Sequence, residues 1–109
     1  MRDENIEKIK EIILKIAREM NIEIEKIILF GSRARWDFRE DSDYDILIVT
    51  KEKLKNEKRV HFFFLVSKGL IEYLKLPVDV IIKSKEEFEE GKKQIICVEH
   101  WALKEGLTL

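Results

Sequence analysis

The chain has 109 residues, of which 45% are hydrophobic and 39% are charged. This length predicts one domain, residues 1–109, that is apolar enough to bury a core. The 21 Lys and Arg nearly balance the 22 Asp and Glu, so the net charge of -1 gives no positive field for nucleic acid. The single cysteine, Cys97, excludes an internal disulfide. Because no apolar run is long enough to span a membrane and no signal peptide is present, we expect a soluble, cytoplasmic protein.

The first half of the chain predicts a helix and two strands. Residues 5–20 carry apolar side chains at helical spacing, with charged residues between them. Residues 24–30 form a β-branched run that ends at Gly31, which predicts a buried strand. The polar residues 32–42 are expected to contain a short helical turn, and residues 44–49 predict the second strand.

The second half predicts two helices separated by a strand. Residues 60–76 are expected to be helical. The apolar spacing that indicates this helix is Phe63, Val66, Leu70 and Leu74. Pro77 ends that helix and opens a third strand, residues 78–82. Ser84 and Glu87 have the spacing of a capping box, which predicts a helix that continues to about residues 102–105 and ends at Gly106.

The order of the predicted elements is helix, strand, short helix, strand, helix, strand, helix, and residues 107–109 can add an edge strand. This order indicates an α/β (α+β) domain with a small mixed β-sheet flanked by helices.

Three aspartates lie at the start of, or within, the predicted apolar strands. Asp43 and Asp45 are two residues apart at the start of the second strand, so their side chains lie on the same face. Asp79 lies in the apolar third strand, where a buried carboxylate needs a partner. If the two strands are neighbours, all three carboxylates meet and require a cation between them. Oxygen ligands without His or Cys favour Mg²⁺ or Mn²⁺.

A glycine turn directly follows the first strand. Gly31 and Ser32 offer free backbone N–H groups and a hydroxyl, which suit a phosphate, and Arg33 and Arg35 add positive charge. The pattern is not a P-loop, because it lacks the Gly-x-x-x-x-Gly-Lys spacing.

These two segments together resemble the minimal nucleotidyltransferases, small members of the DNA polymerase beta superfamily. The resemblance lies in Gly31-Ser32, ten intervening residues, and Asp43-x-Asp45, with Asp79 matching the third carboxylate of the family. It extends over nearly the whole chain. Trp36 departs from the pattern, because relatives usually carry glycine there.

The resemblance implies roles for individual residues. Asp43 and Asp45 would bridge two Mg²⁺ ions, and Asp79 would hold one of them and accept the proton of the attacking hydroxyl. Gly31 and Ser32 would hold the β- and γ-phosphates of ATP. Arg33 would neutralise charge that develops on the phosphates.

The resemblance also implies a function: transfer of AMP from ATP to a hydroxyl of a partner protein. Minimal nucleotidyltransferases of this size act as antitoxins of small helical HEPN ribonucleases, so toxin neutralisation is the expected role. Two alternatives remain open. The chain could block its partner by binding alone, or it could be a free-standing transferase that acts on a small molecule or an RNA end.

The histidines, the cysteine and several aromatic residues have mainly structural interpretations. We expect His61 and His100 at the surface and Cys97 in the core. Trp36 and Phe38 fit either the core or the nucleotide pocket. The run Phe62-Phe63-Phe64 exceeds what one helix face can bury, so we expect most of it in the core and part of it in a contact surface.

Overall fold

The computed structural model describes residues 5–30, 43–91 and 107–109. Its helices are α1 (Ile6–Glu19), α2 (Asn56–Leu74) and α3 (Lys85–Gly91), and its strands are β1 (Ile24–Phe30), β2 (Tyr44–Thr50), β3 (Val78–Ser84) and β4 (Leu107–Thr108). The strand order is β3-β2-β1-β4. β1 is antiparallel to β2 and β4, whereas β2 and β3 are parallel. The predicted mixed sheet with flanking helices is therefore confirmed.

The helices α1 and α2 cover one face of the sheet, which we call the helix face. α1 buries Ile6, Ile9, Ile13 and Ala17 because these residues repeat at helical spacing. Every second residue of β2 joins the same core, which is therefore continuous from the sheet to both helices. The two helices approach closely at Gly69, where an added Cβ would lie 3.3 Å from Ile12 Cγ2. This glycine, unusual inside a helix, is thus explained by helix packing.

α2 differs from its prediction at both ends. It begins at Asn56 instead of residue 60. The sequence pattern missed this first turn because its residues are polar and show no apolar spacing. It ends at Leu74, where Lys75 takes a left-handed conformation with φ 59° two residues before Pro77. Its buried residues are Phe62, Val66 and Leu70. Phe62 therefore packs in the core in place of the predicted Phe63.

Most of the phenylalanine run is outside the core, contrary to our expectation. Phe62 is fully buried, but Phe63 and Phe64 are 45% and 59% exposed. Consecutive residues of a helix are about 100° apart, so three neighbours cannot all face one core.

The capping box is confirmed by two reciprocal bonds. The Ser84 N–H donates to Glu87 Oε1 at 3.0 Å, and the Glu87 N–H donates to Ser84 Oγ at 3.1 Å. These bonds define the start of α3, which is described to Gly91. The predicted continuation of this helix and the short turn after Gly31 lie outside the described residues. The predicted edge strand is confirmed as β4.

No helix in the described part of the chain is long and apolar enough to cross a membrane. A cytoplasmic location stays a prediction.

Candidate active site

At the start of β2, a buried tyrosine lies between two aspartates. Tyr44 is fully buried in the core of the helix face. Its hydroxyl accepts a hydrogen bond from Asn5 Nδ2 at 3.1 Å, and its N–H donates to the Pro77 carbonyl at 3.2 Å. Because side chains alternate along a strand, Asp43 and Asp45 are directed to the opposite side of the sheet. Tyr44 therefore fixes the strand from which both carboxylates project.

The parallel pairing of β2 with β3 brings two of the predicted aspartates side by side. Asp45 and Asp79 are direct Cα partners in this pairing. Neighbouring strands lie about 4.8 Å apart, so the two carboxyl groups are within contact range. Phe30, the last residue of β1, is the Cα partner of Asp45 on its other side. The chain thus leaves β1 at the same end of the sheet where both aspartates lie.

We call the side of the sheet that carries these aspartates the carboxylate face. Behind the aspartates it holds a small apolar cluster, in which α3 contributes one aromatic residue. The buried members of this cluster are Ile28, Leu47, Val49 and Phe88. The Lys26 ammonium group lies 5.0 Å from the centre of the Phe88 ring. The cluster packs behind the aspartates, of which Asp43 and Asp79 are exposed and Asp45 is half-buried.

The carboxylates interact unfavourably with one another. Burial raises the pKa of the Asp45 carboxyl, and the negative charges of Asp79 and Asp43 raise it further. A hydrogen bond with Asp79 acts in the same direction. A raised pKa means that the ionised form of Asp45 is disfavoured here, so a cation at this position would relieve the repulsion.

The donor set fits Mg²⁺, which is usually bound by one or two carboxylates together with water and phosphate oxygens. Asp45 and Asp79 supply such a pair, and Asp43 adds negative charge. In residues 5–30, 43–91 and 107–109, no three His, Cys, Asp or Glu side chains are placed to hold one metal ion together, so the structure pairs Asp45 with Asp79 but does not bring all three aspartates into one ligand set as expected.

Asp79 is exposed, although its apolar surroundings in the sequence suggested burial. The reason is the strand order, because β3 is the outer strand at this side of the sheet. His61 is exposed, as predicted.

Several predicted site residues lie outside the described part of the chain. They are Gly31, Ser32, Arg33, Arg35, Trp36, Phe38, Cys97 and His100. Their roles stay predictions. Sequence reasoning missed the Asn5–Tyr44 hydrogen bond. The alternation around Asp43 and Asp45 indicates that Tyr44 turns inward, but nothing in the sequence indicates its partner 39 residues away.

The model of the family described as "Polymerase beta, Nucleotidyltransferase" matches residues 7–101 of this chain. Two proteins of Methanocaldococcus jannaschii, each named "Putative protein adenylyltransferase", are similar to this chain. One is 38% identical over 93% of this chain and 93% of its own length. The other is 35% identical over 73% of this chain and 81% of its own length.

Solved structures share the fold. A "putative minimal nucleotidyltransferase" superposes with a TM-score of 0.61 at 22% identity and covers 100% of this chain and 97% of its own. A "toxin-antitoxin with AMP-PNP" superposes with a TM-score of 0.59 at 21% identity, over 91% of this chain and 70% of its own. The antitoxin complex of a tri-AMPylated HEPN toxin of Shewanella oneidensis gives a TM-score of 0.53 at 18% identity, over 94% of this chain and 69% of its own.

The sequence signature, the mixed sheet with its paired aspartates, and the match over residues 7–101 agree. This chain belongs to the polymerase beta nucleotidyltransferase family and shares the fold of a minimal nucleotidyltransferase.

Proposed function

We propose that this chain is a protein adenylyltransferase that transfers AMP from ATP to a hydroxyl group of a HEPN-type partner protein and thereby neutralises a toxin. The observation that carries the proposal is the direct pairing of Asp45 with the exposed Asp79. The names of the similar proteins support protein as the acceptor. The nucleotide and toxin in the structural neighbours support ATP and a HEPN partner.

Asp43, Asp45 and Asp79 would hold two Mg²⁺ ions, whose charge stabilises the phosphoryl group during an in-line displacement. Without a cation, the like charges of these carboxylates oppose each other, as the raised pKa of Asp45 indicates. The protein therefore keeps an arrangement that is unfavourable by itself, which is typical of functional sites.

The remaining roles belong to the reacting groups. Asp79 is exposed and would accept the proton of the attacking hydroxyl, because it reaches solvent while Asp45 is half-buried. Gly31 and Ser32 would hold the β- and γ-phosphates, and Arg33 would neutralise their charge as pyrophosphate leaves. In the sequence, Gly31 directly follows Phe30, which is the Cα partner of Asp45. The predicted phosphate-binding residues therefore begin one residue after a residue that pairs with Asp45.

The exposure of two of the aspartates fits a large acceptor. The aspartates lie at the end of the sheet, and Asp43 and Asp79 are exposed. A hydroxyl on the surface of another protein could therefore reach them.

The test is incubation of the purified chain with ATP, Mg²⁺ and a purified HEPN-family protein, followed by mass spectrometry of that protein. We expect a mass increase of one or more AMP groups and loss of ribonuclease activity. Asp79→Asn is expected to bind the HEPN protein but not to modify it. If Asp79→Asn neutralises the HEPN protein without any mass increase, the chain acts by binding alone. If ATP is consumed only with a small molecule or an RNA end as acceptor, the proposed acceptor is wrong.

A further inference from the structure

β3 is an outer strand of the sheet and, in the described part of the chain, pairs with another strand on one side only. Its pairing with β2 runs in register from Tyr44 with Val78 to Thr50 with Ser84. The middle of the strand, residues 80–82, contains neither a charged residue nor a proline. Charges, prolines and bulges are the features by which proteins commonly protect an edge strand from pairing. The middle of β3 is therefore competent to pair with a further strand.

The hydrogen bonds around β3 show which of its backbone groups point outward. The Tyr44 N–H of β2 donates to the Pro77 carbonyl at 3.2 Å, so the odd-numbered residues of β3 bond to β2. The Ser84 N–H donates to Glu87 instead, as expected for an even-numbered residue. Within the described residues, the outward groups before Ser84 have no hydrogen-bond partner. They are the N–H and C=O groups of Val78, Val80 and Ile82.

A groove of about 370 Å³ follows the same edge, and this volume is within the range of ordinary ligand pockets. Arg59, Val60 and Phe63 of α2 line one side of it, and residues 80–82 of β3 line the other. Because successive side chains of a strand point to opposite faces, three consecutive residues can line one groove only where it runs along the strand edge. Val60 and Phe63 are exposed, so the groove has an apolar wall. We call the outward backbone groups and this groove together the β3 edge.

The chemistry of the β3 edge indicates its occupant. Free N–H and C=O groups at the spacing of a strand are complementary to the backbone of another extended chain. The apolar wall of the groove suits the alternate side chains that such a chain turns toward α2. A helix does not fit this edge, because its backbone groups are already bonded within the helix. The complementary ligand is an extended polypeptide segment.

The β3 edge is continuous with the candidate active site. Asp79 lies between Val78 and Val80, and its exposed side chain is on the carboxylate face. In an added antiparallel strand, the residue opposite Asp79 forms a non-hydrogen-bonded pair with it, with Cα atoms about 4.5 Å apart. The side chain of that residue lies on the carboxylate face beside Asp79, and its two neighbours turn toward the groove.

We infer that β3 binds an extended segment of the acceptor protein as an added antiparallel strand, with the hydroxyl-bearing residue opposite Asp79. Antiparallel pairing is slightly more stable than parallel pairing and brings these two side chains closest together. The inference rests on the proposed function, since it takes the acceptor to be a protein. In the transfer step, the hydroxyl oxygen bonds to the α-phosphorus of ATP, the bond to pyrophosphate breaks, and the hydroxyl proton passes to Asp79.

A synthetic peptide tests the strand addition independently of a natural acceptor. It has a central tyrosine, valines at the first and third positions on each side, and threonines and lysines at the remaining positions. The tyrosine is designed to lie opposite Asp79 and the valines to face the groove. We expect the fluorescence anisotropy of the labelled peptide to show saturable binding to the full chain, and mass spectrometry to show AMP on the peptide when ATP and Mg²⁺ are added.

Two N-methylated versions of the peptide are matched probes of the backbone bonds. In the antiparallel pair, the valine next to the tyrosine directs its N–H to β3, whereas the tyrosine N–H points to solvent. Methylation of that valine nitrogen should weaken binding by roughly tenfold or more, because it removes a hydrogen bond and leaves a carbonyl of β3 without a partner. Methylation of the tyrosine nitrogen should have little effect.

Phe63→Glu and Phe64→Glu are the matched variants of the protein. Both replace an exposed phenylalanine of α2, but Phe63 lines the groove and Phe64 does not. Phe63→Glu should weaken peptide binding by about tenfold and raise the KM for the acceptor, as for an aromatic contact residue. Phe64→Glu should leave both unchanged. Circular dichroism checks that both variants are folded.

Several outcomes overturn the inference. These are absence of peptide binding, equal binding of the three peptides, and a stable dimer of the chain that excludes the peptide because β3 pairs with a second copy. Weakening by the methylated tyrosine and not by the methylated valine contradicts the antiparallel direction. The proposed function fails separately. If the peptide binds with the expected methylation pattern but neither it nor the HEPN protein receives AMP, β3 binds an extended segment and the proposed transfer to protein is wrong.

Discussion

The two faces of the sheet are built differently. On the helix face, α1, α2 and the inward residues of the strands form one large apolar core. On the carboxylate face, a small cluster around Phe88 is followed by two carboxyl groups in direct register. The first face gains free energy from burial. The second holds like charges together, and the pKa of Asp45 is raised as a result. The stability of one face therefore permits an unfavourable arrangement on the other.

The largest loss of stability is expected on the helix face. Phe62 is fully buried on α2, so Phe62→Ala should lower the free energy of unfolding by about 3–5 kcal/mol through lost burial and a cavity. Chemical denaturation measures this value. Tyr73→Ala, which removes a half-exposed aromatic ring from the same helix, should change it by about 0.5 kcal/mol or less. Equal losses in both variants would mean that α2 does not carry the core.

The carboxylate face should show the opposite behaviour. Asp45→Asn removes a disfavoured negative charge, so we expect a higher melting temperature in metal-free buffer. The same variant should lose nucleotidyl transfer by roughly 100-fold or more, the usual effect of removing a group that stabilises charge in a transition state. Added Mg²⁺ should raise the melting temperature of the wild type more than that of the variant.

Glu86→Gln on α3 is the control for this experiment, because Glu86 is an exposed carboxylate away from the aspartates. It should leave both the melting temperature and the transfer rate nearly unchanged. A fall in the melting temperature of Asp45→Asn without metal would contradict the repulsion on the carboxylate face.

The contact between α1 and α2 gives the next effect. Gly69 has no room for a large side chain, since an added Cβ already lies 3.3 Å from Ile12 Cγ2 and 3.7 Å from Ile16 Cδ1. Gly69→Leu should cost about 1–3 kcal/mol by overpacking, even though leucine favours helices. Lys68→Leu, one residue earlier and exposed, should have little effect. If Gly69→Leu is as stable as the wild type in denaturation, the helices are not in close contact there.

The two faces also differ in how well the sequence predicts them. The elements of the helix face follow from local patterns, such as the isoleucine spacing of α1, and their existence is confirmed. The choice between Phe62 and Phe63 depends on how α2 is rotated against the sheet. That rotation is set by contacts with α1 and β3, which are distant in sequence, so the local spacing gives the wrong residue.

At the candidate site, the sequence identifies the residue types but not their arrangement. The alternation of β2 predicts that Asp43 and Asp45 share a face. The register of Asp45 with Asp79 depends on the length of α2 and the connections at its ends, and the exposure of Asp79 depends on the strand order. The contributions of Gly31, Ser32 and Arg33 rest on the sequence alone.

The capping box at the junction of β3 and α3 gives a smaller effect. Ser84→Ala removes the acceptor of the Glu87 N–H and should cost about 1 kcal/mol of stability. Thermal unfolding measures the loss, and Ser84→Thr should retain most of the stability because threonine also caps helices. An equal loss in both variants would indicate that the position responds to side-chain size in the sheet and not to the cap.

The smallest effect concerns pH, and it has opposite signs at the two carboxyl groups. The pKa of Asp45 is raised above its ordinary value of 3.8, so its ionised form destabilises the folded protein. The advantage of Asp45→Asn should therefore be present at neutral pH and disappear as the pH falls below 3.8, where Asp45 is protonated in both states. The pKa of Glu87 is lowered from 4.5, first by the hydrogen bond from the Ser84 N–H, so its ionised form stabilises the fold.

Glu87→Gln keeps a capping side chain but removes the charge. It should be less stable than the wild type at neutral pH, and this deficit should shrink as the pH falls below 4.5 and through the lowered pKa of Glu87. Melting temperatures of the wild type and both variants across this range, in metal-free buffer, give the two differences. Both differences from the wild type should approach zero in acid. The difference for Asp45→Asn should fall from a positive value, and the difference for Glu87→Gln should rise from a negative one. Differences of the same sign at neutral pH would show that Asp45 is not held in an unfavourable environment.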